Sequence, residues 1–337
     1  MTISGQPRPK GRSIQPYRQK SGYSDKAMLA ELPRWKAAGI ARVYRHGFVG
    51  EQTVQAYEAW AAPIRAAGLD TGAAFGLAMA AKVHPQTAGE SMGRVFASKL
   101  CSIGVTDAEG AFDTDDQADA SAAATQMGAA VRQFAPTAYL IDQPWPIIGS
   151  HAGFPIVEFA AWNDEHDAQE YATDFKVCFG KDRWPRLLAW SSKQWAACER
   201  DRLGPANVIR PRGITVEGYG HDDVIYDLVD VFYNFEDANI WTEWLPEESC
   251  LMAGQAADFL REYSKTRTSA IATEMAKTKQ IDQYRAMTIS RAIVGVFQRE
   301  NGLGVDYLCG FDTMAKMGIK RAGIIVSMFR SLVRAAA

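Results

Sequence analysis

Segments with strand character alternate with amphipathic helical segments from residue 12 to about residue 263, and this alternation constrains the fold more than any other feature of the chain. Such an alternation is typical of parallel α/β architectures, because each helix returns the chain to the start of the next parallel strand. The predicted strands are 12–17, 41–46, 71–79, 101–109, 137–142, 156–162, 213–219 and 239–244. The predicted helices are 25–38, 51–67, 89–100, 118–134, 167–175, 222–235 and 247–263.

The number of strands and the turn residues favour a barrel. Two of the predicted helices end alike, at Ala37-Ala38-Gly39-Ile40 and Ala66-Ala67-Gly68-Leu69, and a glycine one step past a helix is a common stop before the next strand. Eight strands in about 250 residues match a (β/α)₈ barrel of the TIM type. No GxGxxG turn follows the first strand, which disfavours a dinucleotide-binding sheet. A Trp-rich helical segment within residues 175–212 interrupts the alternation at the sixth and seventh units.

The end of the chain reads differently from the predicted barrel. A short polar stretch at 264–269, SKTRTS, follows the last barrel helix and predicts a linker. Residues 270–337 then predict a small all-α C-terminal domain, so that the barrel domain spans 1–263. The last part, 319–337, has the pattern of a basic amphipathic helix, which packs on this domain or makes a peripheral contact with an anionic membrane.

Composition limits the possible partners and location. The 337 residues are 47% hydrophobic, and 37 Lys and Arg nearly balance 39 Asp and Glu, so the net charge of −2 gives no reason to expect a nucleic-acid partner. Five cysteines without CxxC spacing predict reduced thiols rather than a disulfide framework. The N-terminus has no apolar core of a signal peptide, and no run of about 18 apolar residues is present. We therefore expect a protein made in soluble form in the cytoplasm, and a monomer.

Two carboxylates end the fourth predicted strand. In a parallel barrel, reacting groups lie at the C-terminal ends of the strands. Because strand side chains alternate, Asp107 and Glu109 point to the same face, which the apolar neighbours Ile103 and Val105 mark as the barrel interior. Mutual repulsion raises the proton affinity of at least one of them, and Glu109 is the predicted proton donor.

Further acids end other predicted strands. Glu217 ends the seventh strand, which faces the fourth strand across such a barrel, and it is the predicted partner of Glu109. Asp142 on the fifth strand and Glu243 on the eighth are candidates to orient the acid or to activate water. A pair of carboxylates suits glycoside hydrolysis, because one must protonate the departing oxygen while the other stabilises or captures the positive sugar.

This arrangement resembles two groups of barrel glycosidases. Acids on strands four and seven are similar to the large group of barrel glycoside hydrolases that use those strands, and the DxE on a barrel strand resembles the muramidases of the glycoside hydrolase 25 type. The Asn-Glu pair of the first group is absent from strand four. The muramidase pattern expects an Asp on the first strand, where this chain has Gln15 and Tyr17. Predicted sugar-binding residues lie at the same ends of the strands, because aromatic rings stack on sugar rings; they are Trp145, Trp162, Tyr219 and Trp241, with His46 and Glu243.

The segment 297–318, FQRENGLGVDYLCGFDTMAKMG, resembles the second half of the small peptidoglycan-binding domain of cell-wall hydrolases. That family usually reads FQ, a few residues, and then GLxVDGxxGxxTxxxL. The matching residues here are Phe297, Gln298, Gly302, Leu303, Val305, Asp306, Gly310 and Thr313, whereas Tyr307 replaces the usual glycine. The resemblance implies binding to peptidoglycan through Phe297, Gln298, Leu303, Asp306 and Tyr307.

Together these features predict a two-part peptidoglycan hydrolase that resembles phage endolysins and the lysins of virions. It would cleave a glycosidic bond of the wall glycan by carboxylate catalysis without a cofactor or metal, and it would reach the wall after release from the cytoplasm. One alternative is a non-catalytic virion or envelope barrel that binds glycan. Another is a zinc amidase, for which the available ligands are His46, His151 and His221, although no HExxH pair is present.

Overall fold

A computed structural model describes residues 3–17, 25–242, 246–277, 281 and 285–320. Eight parallel strands close into a barrel in the order in which they occur in the chain, β1 to β8. The strands are β1 Ser13–Pro16, β2 Arg42–Phe48, β3 Asp70–Leu77, β4 Gly104–Ala108, β5 Leu140–Asp142, β6 Glu165–Glu170, β7 Arg212–Glu217 and β8 Asn239–Thr242. The first and last strands pair with each other, Ser13 opposite Asn239 and Pro16 opposite Thr242. The predicted (β/α)₈ barrel is therefore confirmed.

Helices follow the strands and continue after the last one. They are α1 Asp25–Ala37, α2 Val54–Ala66, α3 Met79–Val83, α4 Pro85–Phe96, α5 Gln117–Phe134, α6 Ile156–Ala160, α7 Lys176–Phe179, α8 Arg183–Cys198, α9 Gly204–Ala206, α10 Ile225–Asn234, α11 Glu248–Ser264, α12 Thr268–Lys277, α13 Ile289–Glu300 and α14 Phe311–Lys316. Short 3-10 turns lie at Ile148–Ser150, Gly180–Asp182 and Asp222–Val224, and a π-helical turn lies at Glu199–Leu203.

The sixth strand lies elsewhere than predicted. The apolar segment 156–162 contains helix α6, and the polar segment predicted as a helix, 167–175, begins inside β6. All six residues of β6, EHDAQE, are buried, although five of them are polar or charged. Both assignments were wrong for one physical reason: the strand faces a polar interior, so it lacks the apolar residues that signal a buried strand.

The barrel interior is layered. An apolar layer of buried side chains from β2 to β5 and the segments before them consists of Tyr44, Ala74, Ile103, Val105, Tyr139 and Ile141. A polar layer links residues of different strands across the barrel. In it, Gln143 donates to Gln15 of β1 at 3.2 Å and to Thr215 of β7 at 2.9 Å. Asn239 donates to the same oxygen of Gln15 at 2.8 Å. Because side chains alternate along a strand, these contacts identify Gln15, Thr215 and Asn239 as residues that point into the barrel.

The N-terminal segment supplies a cation to acids at the start of β6. Arg8 forms ion pairs with Glu165 and Asp167, and it also donates to the backbone oxygen of Asp237 at 3.0 Å. Tyr139 donates to the second oxygen of Glu165 at 2.8 Å. Burial, followed by the charge of Asp167, raises the pKa of Glu165, so this carboxyl gains a proton more easily in the folded protein than in the unfolded chain.

The chain divides into two compact units. The first consists of residues 1–171, 187–217 and 237–244, and the second of residues 172–186, 218–236 and 245–337. In the second unit, Asp227 of α10 binds Arg285 at 3.0 Å and Arg291 of α13 at 2.8 Å. The predicted boundaries of the barrel domain, linker and C-terminal domain stay a prediction; the stretch 264–269 holds the end of α11 and the start of α12.

None of the described helices is long and apolar enough to cross a bilayer. Most of the predicted basic helix, residues 321–337, lies outside the described residues.

Candidate active site

A cavity of about 650 Å³ opens at the C-terminal ends of the barrel strands. Six of the eight strands line this cavity, either directly or through the residues that follow them. These strands are β1 to β4, β6 and β8. The lining side chains that could contact a ligand are Tyr17, His46, Phe48, Met79, Asp107, Glu109, Gln169, Tyr171 and Trp241. This is the end of a TIM barrel at which enzymes of this fold place their reacting groups.

The two predicted carboxylates of β4 lie together in this cavity. Asp107 and Glu109 both line it, as the alternation of side chains along the strand requires. Gln169 of β6 donates to Oδ1 of Asp107 at 2.9 Å and to the backbone oxygen of Gln143 at 2.7 Å, which holds the Asp107 carboxylate in one orientation.

Glu109 lines the cavity and has a raised pKa. Its side chain is exposed to solvent, although the surrounding protein still removes part of its hydration. That loss of water, and then the charge of Asp107, raise the pKa of Glu109 to about 7, while a hydrogen bond with Gln169 opposes the shift. A carboxyl with this pKa is partly protonated at neutral pH and can donate a proton.

Aromatic rings form another part of the wall. The ring of Trp241 stacks with that of Tyr171 at 5.4 Å between centroids, and Tyr17 lies 6.1 Å away from Trp241 on another side. Sugar rings present apolar C–H faces that pack well on such rings. The cavity therefore combines a carboxylate pair with an aromatic surface, which is a suitable arrangement for a carbohydrate.

The strand between β2 and β4 has small residues on its inner face. Gly76 of β3 stands opposite Phe48 of β2 and Asp107 of β4. A Cβ atom at Gly76 would lie 2.9 Å from the Phe48 ring and 3.5 Å from the His46 ring. The missing side chain therefore leaves space beside the rings of Phe48 and His46 in the cavity wall.

The predicted partner acid, Glu217, does not line this cavity. Thr215 points into the barrel, so Glu217 starts from the same face of β7, yet its side chain is only 1% exposed. Burial raises the pKa of Glu170 to about 8, and the charge of Glu217 adds to this effect, so the two carboxyls lie near each other. The structure thus brings Asp107 and Glu109 together, but it does not place Glu217 with them in this cavity.

Asp142 and Trp162 also lie away from the cavity. Ile141 and Gln143 point into the barrel, so Asp142 points outward, where it is fully buried and binds His166 of β6. Trp162 is 4% exposed and follows helix α6, with its ring against Phe159. Neither residue can contact a sugar in the cavity from these positions.

The remaining predicted site residues are spread over the chain. Trp145 is half-buried and stacks on His151 at 3.9 Å, and His151 binds Asp113 at 2.7 Å. Tyr219 is half-buried and is not part of the cavity wall. Glu243 lies outside the described residues.

Within the described part of the chain, the histidines are not grouped as metal ligands. His221 is buried beside Trp184, whose ring nitrogen lies 3.4 Å from it. In the described part of the chain, no three His, Cys, Asp or Glu side chains are grouped so that they could hold a metal ion. The zinc amidase hypothesis therefore gains no support from the positions of these residues.

The C-terminal segment folds as a helix, a loop and a second helix. Helix α13 ends at Glu300, Gly302 adopts a left-handed conformation with φ of +69°, and α14 begins at Phe311. Phe297 and Gln298 are 3% and 2% exposed, so both side chains stabilise the fold instead of facing a polymer. Gln298 donates to Asp306 at 2.7 Å and accepts from the backbone N–H of Tyr307 at 3.1 Å, which fixes the loop.

Three residues of this loop are accessible enough to meet a ligand. Asp306 is exposed, and Leu303 and Tyr307 are half-buried. Tyr307 has a φ of +63°, the left-handed conformation that favours glycine, so the backbone keeps the form expected where the wall-binding family has glycine. Its ring packs against Gly295, and its hydroxyl donates to Glu274 at 2.7 Å.

Comparisons with known proteins concern the fold. No protein-family model matches the chain, and no curated protein sequence matches it. Among solved structures, a β-galactosidase from the psychrophilic Marinomonas ef1 is similar with a TM-score of 0.54 and 9% identity, over 77% of this chain and 60% of that one. An endo-β-1,4-mannanase from Thermotoga petrophila has a TM-score of 0.52 and 8% identity, over 79% of each chain. At this identity the likeness shows a shared barrel.

Sequence reasoning missed five side chains of the cavity wall, Phe48, Met79, Tyr17, Gln169 and Tyr171. The last two follow from the misplaced sixth strand. The alternation of Glu165, Asp167, Gln169 and Tyr171 was available as a signal, since every second residue of the segment is large and polar. Tyr17 ends the first predicted strand, and an aromatic residue at that position is itself a signal for a sugar-binding wall.

Proposed function

We propose that this protein hydrolyses a glycosidic bond, with Glu109 as the proton donor. The observation that carries the proposal is the pair Asp107 and Glu109 in a cavity with an aromatic wall, where Glu109 has a pKa of about 7. Support comes from the site itself, since the likeness to the mannanase and the galactosidase concerns the fold.

The residues present account for the steps of such a reaction. Glu109 gives its proton to the departing oxygen as the bond from that oxygen to the anomeric carbon breaks. The negative charge of Asp107, held by Gln169, stabilises the positive charge that develops on the sugar. Glu109, now a carboxylate, takes a proton from the water whose oxygen bonds to the anomeric carbon, which restores the starting state.

We further propose that the substrate is the glycan of bacterial peptidoglycan. This part rests on the resemblance of the segment 297–318 to wall-binding domains, and the left-handed conformation of Tyr307 at the glycine position supports it. A second unit that binds the same polymer raises the effective substrate concentration at the barrel. The protein would then act as an endolysin or a virion-associated lysin, at the wall, as a monomer and without nucleic acid.

The test is hydrolysis of purified peptidoglycan. Wild-type protein is expected to release new reducing ends, and Glu109→Gln is expected to release none while it still sediments with the wall. Glutamine keeps the size of the side chain and removes the acid. Binding by the wild-type protein without any new reducing ends would favour a non-catalytic glycan-binding barrel.

A further inference from the structure

An imidazole nitrogen and a carboxylate oxygen face each other across the cavity at a distance too long for a direct hydrogen bond. Nε2 of His46 lies 3.8 Å from Oδ2 of Asp107. Hydrogen bonds of this type measure about 2.7 to 3.2 Å. Nε2 has no hydrogen-bond partner among the described residues, and His46 is only 6% exposed. A buried polar atom without a partner is costly, so this one is poised for a ligand atom.

Both groups are held in place by their surroundings. The His46 ring lies edge-on against Tyr17 at 4.9 Å and against Phe48 at 6.3 Å. Asp107 is oriented through its other oxygen, Oδ1, by Gln169 at 2.9 Å. Gly76 leaves open the space beside them. The gap is therefore a fixed feature of the wall, and its two polar atoms point at the same small volume.

The size and chemistry of the gap select what can fill it. One oxygen atom at about 2.8 Å from each group spans a separation of 3.8 Å. A hydroxyl can accept from the imidazole N–H and donate to the carboxylate at the same time. An ether oxygen cannot donate, and an amide N–H cannot accept.

We propose that His46 and Asp107 form a hydroxyl clamp that binds one free hydroxyl of a sugar and so positions it beside Glu109. This inference rests on the proposed glycosidase function, and it adds a specificity-determining role for His46. A sugar that carries an ether or an ester at the clamped position would be excluded.

The clamp is tested by binding, so that the result does not depend on turnover. The probe is a tetrasaccharide of peptidoglycan glycan, titrated calorimetrically into protein that carries Glu109→Gln to prevent cleavage. In that background, His46→Phe keeps a flat ring and removes the N–H, and it is expected to raise Kd about 10-fold. His46→Gln keeps an N–H donor and is expected to stay within about 3-fold of the parent.

A double-variant cycle distinguishes a shared hydroxyl from two separate contacts. Asp107→Asn is expected to raise Kd, and His46→Phe with Asp107→Asn is expected to bind no more than about 2-fold more weakly than the weaker single variant, because both changes remove one bridge. Equal binding by the parent and His46→Phe, full additivity, or a parent that binds no tetrasaccharide would overturn the clamp. If the expected binding pattern is found while wild-type protein releases no reducing ends, the clamp stands and the hydrolase function fails.

Discussion

Gln169 donates a 2.9 Å hydrogen bond from β6 to Asp107 on β4, and this contact joins two strands that line the cavity. It orients the carboxyl group of Asp107 beside Glu109. The charge of that carboxylate is in turn the second cause of the raised pKa of Glu109, after loss of water. The pKa of Glu109 therefore depends on residues of β6 as well as of β4.

The first prediction concerns pH. Because Glu109 must carry a proton to act, kcat/KM should fall as the pH rises through about 7. Asp107→Asn removes the repelling charge, which lowers the pKa of Glu109 and moves this alkaline limb to lower pH. The measurement is a pH profile of reducing-end release for both proteins. An alkaline limb that stays in place in the variant would show that Asp107 does not act on Glu109 in this way.

The second prediction concerns Glu217. Since Glu217 does not line the cavity, Glu217→Gln should retain kcat within about 10-fold, whereas loss of a general acid costs about 10²- to 10⁴-fold. Both variants should be assayed on the same peptidoglycan, with circular dichroism to verify folding. A folded Glu217→Gln as inactive as Glu109→Gln would restore the pairing of strands four and seven that the sequence suggested.

The third prediction concerns the space beside His46. In Gly76→Ala the new Cβ would lie 2.9 Å from the Phe48 ring, so this ring of the cavity wall must shift, and kcat/KM should fall about 10-fold or more. Gly110→Ala is the matched control, because Gly110 also lines the cavity but a Cβ there meets nothing within 4 Å. Equal activity of the two variants would contradict the importance of this gap.

The fourth prediction concerns stability. Because the folded protein raises the pKa of Glu165 above its usual value of 4.5, the folded state binds more protons than the unfolded chain above that pH. The contribution of Glu165 to the free energy of unfolding is therefore present at low pH. It is lost as the pH rises toward the raised pKa, by up to about 1.4 kcal/mol per pH unit. Urea unfolding should show that the free energy of unfolding decreases less between pH 6 and pH 8 for Glu165→Gln than for the wild type. An unchanged loss would mean that the folded Glu165 has its ordinary pKa.

The fifth prediction concerns the C-terminal loop. Gln298→Ala leaves the backbone N–H groups of Asp306 and Tyr307 without their acceptor, which should destabilise the second unit by about 1 to 3 kcal/mol. Sedimentation with peptidoglycan should weaken in parallel if the loop binds the wall. Gln126→Ala is the control, because Gln126 is exposed on α5. Full wall binding by a destabilised Gln298→Ala would argue against a wall-binding loop.

The sequence was sufficient for the barrel and for Asp107 and Glu109. Strands β2, β3 and β4 carry apolar residues on at least one face, and the two acids follow apolar residues of the same alternation, so their direction could be inferred. Helix stops at Gly39 and Gly68, both with positive φ, marked the units clearly.

The other members of the site depend on long-range packing. β6 carries polar residues toward both faces, and the contacts that satisfy them, such as Arg8 to Glu165, join residues 157 positions apart. No local sequence pattern reveals a contact between residues so far apart in the chain. Asp142 was predicted as catalytic because it ends a strand. The direction of its side chain, however, depends on the register of β5, which places Ile141 and Gln143 inside the barrel.

The chain end produced from purified peptidoglycan tests most directly whether Glu109 is the acid of a glycosidase. Wild-type protein at pH 6 should release fragments with new reducing sugars, identified by mass spectrometry, and Glu109→Gln should release none while it remains folded and bound to the wall. New amino groups without reducing sugars, or full activity of Glu109→Gln, would contradict the assignment of Glu109 as the acid of a glycosidase.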